Sequence, residues 1–314
     1  MLPTRQYNTH AEQLLRGEPS VLRALHPPPP GVVHAVSPVG GRVLAVLGHS
    51  CFVTTIHDVM PFHFWRAHPA RYTFLRWCIT LSARRSVRII VTFQFNKNYL
   101  VEHLGVPEHK IDVVPIGVDP QTLGVDGSTA TAREDDIPRL LFLGSWNPFE
   151  RGGDLVLRSM PDIIREVPRA RLIFSCASRS IPAMRELARS LHIELAVDFP
   201  GFIPEGSLGS VLRGADVFVY PSRIGFSASV LQAMHVGTPV VAGDCLDMPE
   251  FVSDSGVISP MEDPSKMARL IIGLLHDRDQ RRRLAEKGKR RVGDFSIDQM
   301  IGRTLEVYHQ VMSK

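Results

Sequence analysis

From residue 139 onward, the chain alternates short, nearly unbroken apolar runs with longer segments of helical period. LLFL at 140–143, LIF at 172–174, VFVY at 217–220 and VVA at 240–242 are apolar throughout, as strands covered on both faces must be. Between them Val156, Met160, Ile163, Ile164 and Val167 recur at the spacing that lines one face of a helix, and Met267, Leu270, Ile271, Leu274 and Leu275 repeat the pattern. Strand and helix in alternation specify a parallel sheet with right-handed crossovers, a doubly wound α/β domain. The punctuation agrees. Asp263 before Pro264 reads as an N-cap with proline at the first helical position, and Ser296 with Gln299 as a capping box opening a last helix to about Met312.

The first third follows the same grammar less cleanly. Strands are expected at 31–35, 53–57, 88–92 and 111–115, and helices at 39–47, 72–83 and 97–104. Prolines 27–30 form a stiff connector. Residues 121–138, rich in Gly, Thr, Asp and Ala, read as a linker. A chain of 314 residues then divides into an N-terminal domain at 1–120 and a C-terminal domain at 139–314, whose last helix returns to the first domain.

Apolar residues at 44% and charged residues at 22% exclude a disordered chain, a coiled coil and a collagen-like repeat. No run of about 18 apolar residues is present and the N-terminus lacks an apolar signal core, so a cytoplasmic location is expected. The four cysteines have no paired spacing, and the 13 histidines include no HExxH, so neither metal nor cofactor is expected.

Charge is uneven. Residues 1–120 hold 12 lysines and arginines against 7 acids, whereas the remainder holds 24 against 25. Residues 59–101 contain no acid but carry Arg66, Arg71, Arg76, Arg84, Arg85, Arg88 and Lys97, interleaved with Trp65, Tyr72, Phe74 and Trp77. The readings are a solvated helix face over aromatic core or a surface for an anionic membrane; no nucleic-acid motif accompanies the charge, so no nucleic-acid partner is expected.

The run VFVYPSRIGFSASVLQAMHVGTPVVAGD at 217–244 resembles the signature of retaining glycosyltransferases of family 4. VVPIGVD at 113–119, GFIPEGSLGSVLRGADVFVYPS at 201–222 and the tail from Pro249 through EDPSKMARLI to FSIDQM are similar to it too. The resemblance implies a GT-B-like fold, two Rossmann-like domains facing a cleft with the N-terminal one incomplete. It implies sugar transfer from a nucleotide-sugar donor to a carbohydrate or lipid-linked hydroxyl acceptor. It implies donor-binding roles for Arg151, Ile203, Gly225, Phe226, Ser227, Ala228 and Gln232. Small residues opening a helix near Ala228 let backbone N–H groups approach a diphosphate; the alternative is that Gly225 only permits a tight strand-to-helix turn. Arg151, in LLFLGSWNPFERGGDLVL at 140–157, matches one member of the family's basic phosphate pair; an ordinary surface arginine is the alternative. In FVTTIHDVMPF at 52–62, His57 matches the sugar-facing histidine and is the candidate catalytic residue, while His34 in VVHA either lines the cleft or caps its strand.

Departures from the family pattern matter as much. Where it carries two glutamates, this chain has Ile224 and Gln232, and the first basic phosphate residue is replaced by Ser145 or Trp146. Replacing a ribose-binding carboxylate by an amide costs about 1–2 kcal/mol, and an unpaired donor hydroxyl about 1–3 kcal/mol. The expectation is therefore weak turnover, with a non-catalytic nucleotide- or partner-binding protein as the alternative.

Overall fold

The computed structural model describes residues 31–49, 51–66, 68–118, 136–144 and 147–313. The prolines at 27–30, the linker and the pair Ser145 and Trp146 lie outside the described residues, apart from the linker's last three positions. The chain divides into two compact units, one formed by residues 1–115 with 301–314, the other by residues 116–300.

In the first unit, β1 (Val33–Ala35), α1 (Pro38–Val46), β2 (Phe52–Ile56), α2 (Met60–His63), α3 (Pro69–Arg85), β3 (Arg88–Val91), α4 (Gln94–Leu104) and β4 (Ile111–Val113) follow in turn. All four strands are parallel, in the order β1-β2-β3-β4. Every residue of β2 is buried, and Ile56, Ile79, Ile89, Val91, Leu100 and Ile111 close the core beneath it. Helix α1 begins at Ser37, whose hydroxyl accepts from the Gly40 N–H at 3.3 Å, with Pro38 at the first position.

The second unit contains β5 (Arg139–Leu143), α5 (Gly153–Glu166), β6 (Arg171–Ser175), α6 (Ile181–Ser190), β7 (Val197–Asp198), α7 (Glu205–Arg213), β8 (Val217–Tyr220), α8 (Ala228–Val236), β9 (Val240–Gly243), α9 (Met248–Val252), β10 (Val257–Ser259), α10 (Pro264–His276) and α11 (Arg278–Val292). Its six strands are parallel, in the order β10-β9-β8-β5-β6-β7. Strands 5, 6 and 7 run outward one way and 8, 9 and 10 the other, so the order reverses between β5 and β8. At such a reversal the following loops part and leave a crevice at the carboxyl ends of the strands. Phe142, Phe174, Val217, Val219 and Val241 are fully buried among helix residues such as Met160, Ile163 and Ile271.

The expected N-cap at Asp263 is present, its carboxylate accepting the Lys266 N–H at 2.8 Å. The last helix, α12 (Ile297–Met312), belongs from Ile301 onward to the first unit, where the Tyr308 hydroxyl lies 2.6 Å from Nδ1 of His34.

The basic stretch needs correction. Only Arg66, Arg71, Arg84 and Arg85 of its seven cations are exposed. Arg88 pairs with Asp112, Lys97 with Glu108 at 3.1 Å, and Arg76 lies over the Phe62 ring. At 100° per residue, Arg71 and Arg85 share one side of α3, while Arg84 lines up with half-exposed Trp77 on another. There is no single arginine face.

Candidate functional site

Two loops meet at the reversal point of the second sheet, residues 147–152 before α5 and 221–227 after β8. Gly152 makes the approach possible. It sits at φ +77°, and a Cβ there would lie 2.0 Å from the Pro221 carbonyl oxygen. The Arg223 N–H donates to the Glu150 carbonyl at 2.9 Å, joining the loops by backbone.

The Arg223 side chain joins them again, Nη1 donating to the Phe149 carbonyl, and also reaches the start of α5 and the turn after β10. Nη1 and Nη2 donate to the two carboxylate oxygens of Asp154 at 2.7 and 3.0 Å, and Nε and Nη2 donate to Glu262 at 2.7 and 3.1 Å. Burial pulls the pKa of this guanidinium down, but its bonds to the two carboxylates outweigh that and hold it above its ordinary value. Arg223 is therefore committed to protein partners. No sequence argument above singled it out, because its carboxylates lie 69 and 39 residues away along the chain.

Arg151 differs. Its Nη1 atom is buried without a hydrogen-bond partner, while its ζ carbon lies 5.8 Å from the centroid of the Tyr220 ring. Burial raises the pKa of the Tyr220 phenol, and Arg151, Ser227 and Ser222 nearby offset part of that rise. Ser227 is the N-cap of α8, its oxygen accepting the Ser229 N–H at 3.3 Å. A cation with an unused donor thus stands beside a helix N-terminus, an arrangement suited to an anion. Gly225 holds the turn into that helix at φ +74°, where a Cβ would meet Asp247 Oδ1 at 2.4 Å, and the same oxygen accepts the Phe226 N–H at 3.0 Å. The turn reading of Gly225 is thereby satisfied, and Gly225, Phe226, Ser227 and Ala228 lie together at the mouth of α8. Cys245 donates to the Arg223 carbonyl at 3.3 Å, and burial beside Asp247 and Asp244 pushes its thiol up to about 11.

Alongside opens a cavity of about 240 Å³ at the carboxyl ends of β5 and β6, lined by Leu143, Ser175, Ile203, Glu205, Ser229 and Gln232 among others. Ile203 and Gln232, 29 positions apart, therefore share one cavity. A larger hollow of about 710 Å³ lies at the opposite edge, where β5 and β6 begin at Arg139 and Arg171. It is the less suitable of the two, because ligands of open parallel sheets bind at the carboxyl edge. Ile224 donates its N–H to Ser222 Oγ at 3.2 Å and offers no polar side-chain atom.

The two histidines lie in the first unit. His34 is held by both ring nitrogens, the second lying 2.8 Å from Thr55 Oγ1, and burial lowers its pKa, so it is a structural tie. His57 is exposed at the carboxyl end of β2. Its Nε2 lies 3.1 Å from the Val36 carbonyl, and its own carbonyl accepts from Thr92 at 2.8 Å and Asn96 at 3.0 Å. Among the described residues, no group of three His, Cys, Asp or Glu could hold a metal ion, and no helix is long and apolar enough to cross a membrane.

Two parallel α/β units, the second with a cavity at the carboxyl edge of its sheet, have the fold of the GT-B type. The chain matches the family model for glycosyltransferase family 4 at residues 3–122 and that for group 1 glycosyl transferases at residues 137–277, and it belongs to this family. It is 25% identical over 244 residues to an uncharacterised glycosyltransferase of Methanocaldococcus jannaschii, covering 74% of this chain and 62% of that one. It is 29% identical over 225 residues to the D-inositol 3-phosphate glycosyltransferase of Segniliparus rotundus, covering 67% and 49%. To the phosphatidyl-myo-inositol mannosyltransferase of Mycolicibacterium smegmatis it is 28% identical over 207 residues, covering 63% and 51%. The matches thus span about half to three-fifths of these relatives. Among solved structures, sucrose-phosphate synthase from Thermosynechococcus elongatus superposes with a TM-score of 0.78 at 19% identity, over 98% of this chain and 81% of that one. Anabaena HepE, solved with UDP-glucose, superposes with a TM-score of 0.75 at 17% identity, over 100% and 86%.

Proposed function

We propose that the protein transfers a sugar from a nucleoside-diphosphate donor to a hydroxyl acceptor with retention of anomeric configuration, and does so slowly. The observation that carries this reading is the buried, unpartnered Nη1 of Arg151 beside the capped N-terminus of α8. A diphosphate there would accept from Arg151 and from the first N–H groups of α8, and the same groups would stabilise the charge that grows as the diphosphate departs. The nucleoside would extend into the cavity bounded by Ile203 and Gln232. No metal is assigned a part in this.

Slowness follows from what surrounds Arg151. The other arginine of the two loops, Arg223, is neutralised by Asp154 and Glu262, and Ile224 offers the donor sugar nothing polar. One cation instead of two weakens leaving-group stabilisation more than ground-state binding. The same observation favours a second reading, a non-catalytic protein that binds the nucleotide. The relatives' names point to acceptors related to inositol, free or lipid-linked. A lipid-linked acceptor would suit peripheral membrane contact through Trp77, Arg84 and their neighbours.

The deciding assay incubates the full chain with UDP- and GDP-linked sugars and inositol phosphate or phosphatidylinositol, following nucleotide release and the anomeric configuration of the product. Slow, retained transfer is expected, with donor affinity about tenfold higher in Gln232→Glu. Rapid turnover would refute the argument from the lost groups, an inverted product would refute retention, and binding without transfer would establish the second reading.

A further inference from the structure

The contacts of Arg223 bracket Arg151. Its N–H donates to the Glu150 carbonyl at 2.9 Å. That carbonyl belongs to the same planar peptide unit as the Arg151 N–H, so the bond fixes the plane from which Arg151 departs. The side chain takes hold on both sides. Nη1 donates to the Phe149 carbonyl, two residues before Arg151, and Nη1 and Nη2 donate to Asp154, three residues after it. The Phe149 carbonyl also accepts the Gly152 N–H at 3.0 Å, which closes the turn that carries Arg151. Glu262, after β10, accepts from Nε and Nη2 and anchors the guanidinium from outside both loops. It is held at φ +60°, a conformation that a residue other than glycine keeps only where its contacts enforce it.

A guanidinium has five N–H donors. Those of Arg223 make five bonds, one to Phe149, two to Asp154 and two to Glu262. None is left for a ligand. Arg151, on the turn that Arg223 grips, has the opposite character, because its Nη1 is buried without a partner. A long cationic side chain on a loose turn must be ordered each time an anion arrives, whereas one on a clamped turn meets it already in place.

We propose that Arg223 is a positioning residue of the diphosphate site: its saturated guanidinium holds the turn at 147–152 so that Arg151 is pre-ordered for a phosphate oxygen. The inference rests on the diphosphate reading of this site. Arg223 acts through Arg151 and touches no substrate.

Asp154→Ala separates positioning from charge by the sign of its effect. It removes a negative charge near the anion site and leaves Arg223 less neutralised, so electrostatics alone would tighten diphosphate binding, as would a released Arg223 that reached the ligand itself. Positioning demands a loss. Ligand-detected NMR titration of the full chain, with UDP and with inorganic pyrophosphate, compares the unmodified protein, Asp154→Ala, Arg151→Ala and the double variant, at a temperature where thermal unfolding shows all four folded. Asp154→Ala should weaken both ligands about 3- to 10-fold, a part of the roughly 5- to 30-fold that ordering one residue's backbone represents. In the Arg151→Ala background the same change should weaken them less than about twofold, since the group being positioned is gone. Tighter or unchanged binding in Asp154→Ala, or equal losses in the two backgrounds, would overturn the proposal and leave the clamp a structural tie alone. Should Asp154→Ala not fold, Arg223→Met goes through the same cycle. Its loss should be at least about threefold larger with Arg151 present than absent, because the charge it removes acts in both backgrounds and positioning in only one; equal losses would overturn the proposal. If the unmodified chain binds neither UDP nor pyrophosphate, the diphosphate reading falls and carries the inference with it; failure of the coupling alone leaves that reading standing.

Discussion

Arg223→Met tests how the two loops of the site are held. The substitution keeps an unbranched side chain of similar length and removes five donor contacts, two to Asp154, two to Glu262 and one to the Phe149 carbonyl. The two carboxylates are unequal. Asp154 is 16% exposed at its side chain and would be left charged and largely dry, whereas Glu262 is 64% exposed and would return to water. A charged hydrogen-bonded pair that is partly buried contributes about 1.5–3 kcal/mol, and an exposed pair under about 1 kcal/mol. Arg223→Met should therefore cost about 2–4 kcal/mol, which for a unit of this size lowers the melting temperature by roughly 5–12 °C. Glu262→Gln should cost under about 1 kcal/mol. Differential scanning calorimetry checks both. A melting temperature within about 2 °C of the unmodified chain for Arg223→Met, or equal losses for the two variants, would refute the assignment of the clamp to Asp154.

Other consequences follow from the same contacts. Gly225→Ala places a Cβ at φ +74° and 2.4 Å from Asp247 Oδ1, so it should destabilise the chain by about 1–3 kcal/mol in denaturant titration and weaken UDP binding by disturbing the mouth of α8. His34 has a lowered pKa in the folded chain, so below the unfolded value of about 6.5 the unfolded state binds more protons and stability falls as the pH drops; urea midpoints between about pH 5 and pH 8 should show this slope, and His34→Gln should flatten it. The exposed cations Arg66, Arg71, Arg84 and Arg85 should give weak attachment to anionic vesicles at low salt, lost at high salt, because each basic residue contributes about 1 kcal/mol near an anionic leaflet; no sedimentation at low salt would remove the membrane reading.

Patterns written in consecutive residues were legible. The apolar runs at 140–143 and 217–220 became β5 and β8, Asp263 capped α10, and the helix expected near Ala228 begins there. Ile203 and Gln232, named 29 positions apart, line one cavity. Strands β7, two residues long, and β10, three, carry too few positions for any period to register. Arg223 escaped notice for a different reason. Its role lies in side-chain partners tens of residues away, and an arginine beside a proline-serine turn gives no local sign of the carboxylates that will claim it. The charge count over residues 59–101 misled for the same reason, since Asp112 and Glu108, just beyond that stretch, neutralise Arg88 and Lys97.

The central claim is that the carboxyl edge of the second sheet holds a nucleoside diphosphate through Arg151 and the N-terminus of α8. Isothermal titration of UDP and GDP into the full chain and into Arg151→Ala tests it most directly. Dissociation constants of roughly 0.1–1 mM are expected for the unmodified chain, weakened at least about tenfold in Arg151→Ala, since a buried donor to a phosphate contributes about 1.5–3 kcal/mol. No binding of either nucleotide, or tight binding indifferent to Arg151→Ala, would contradict it.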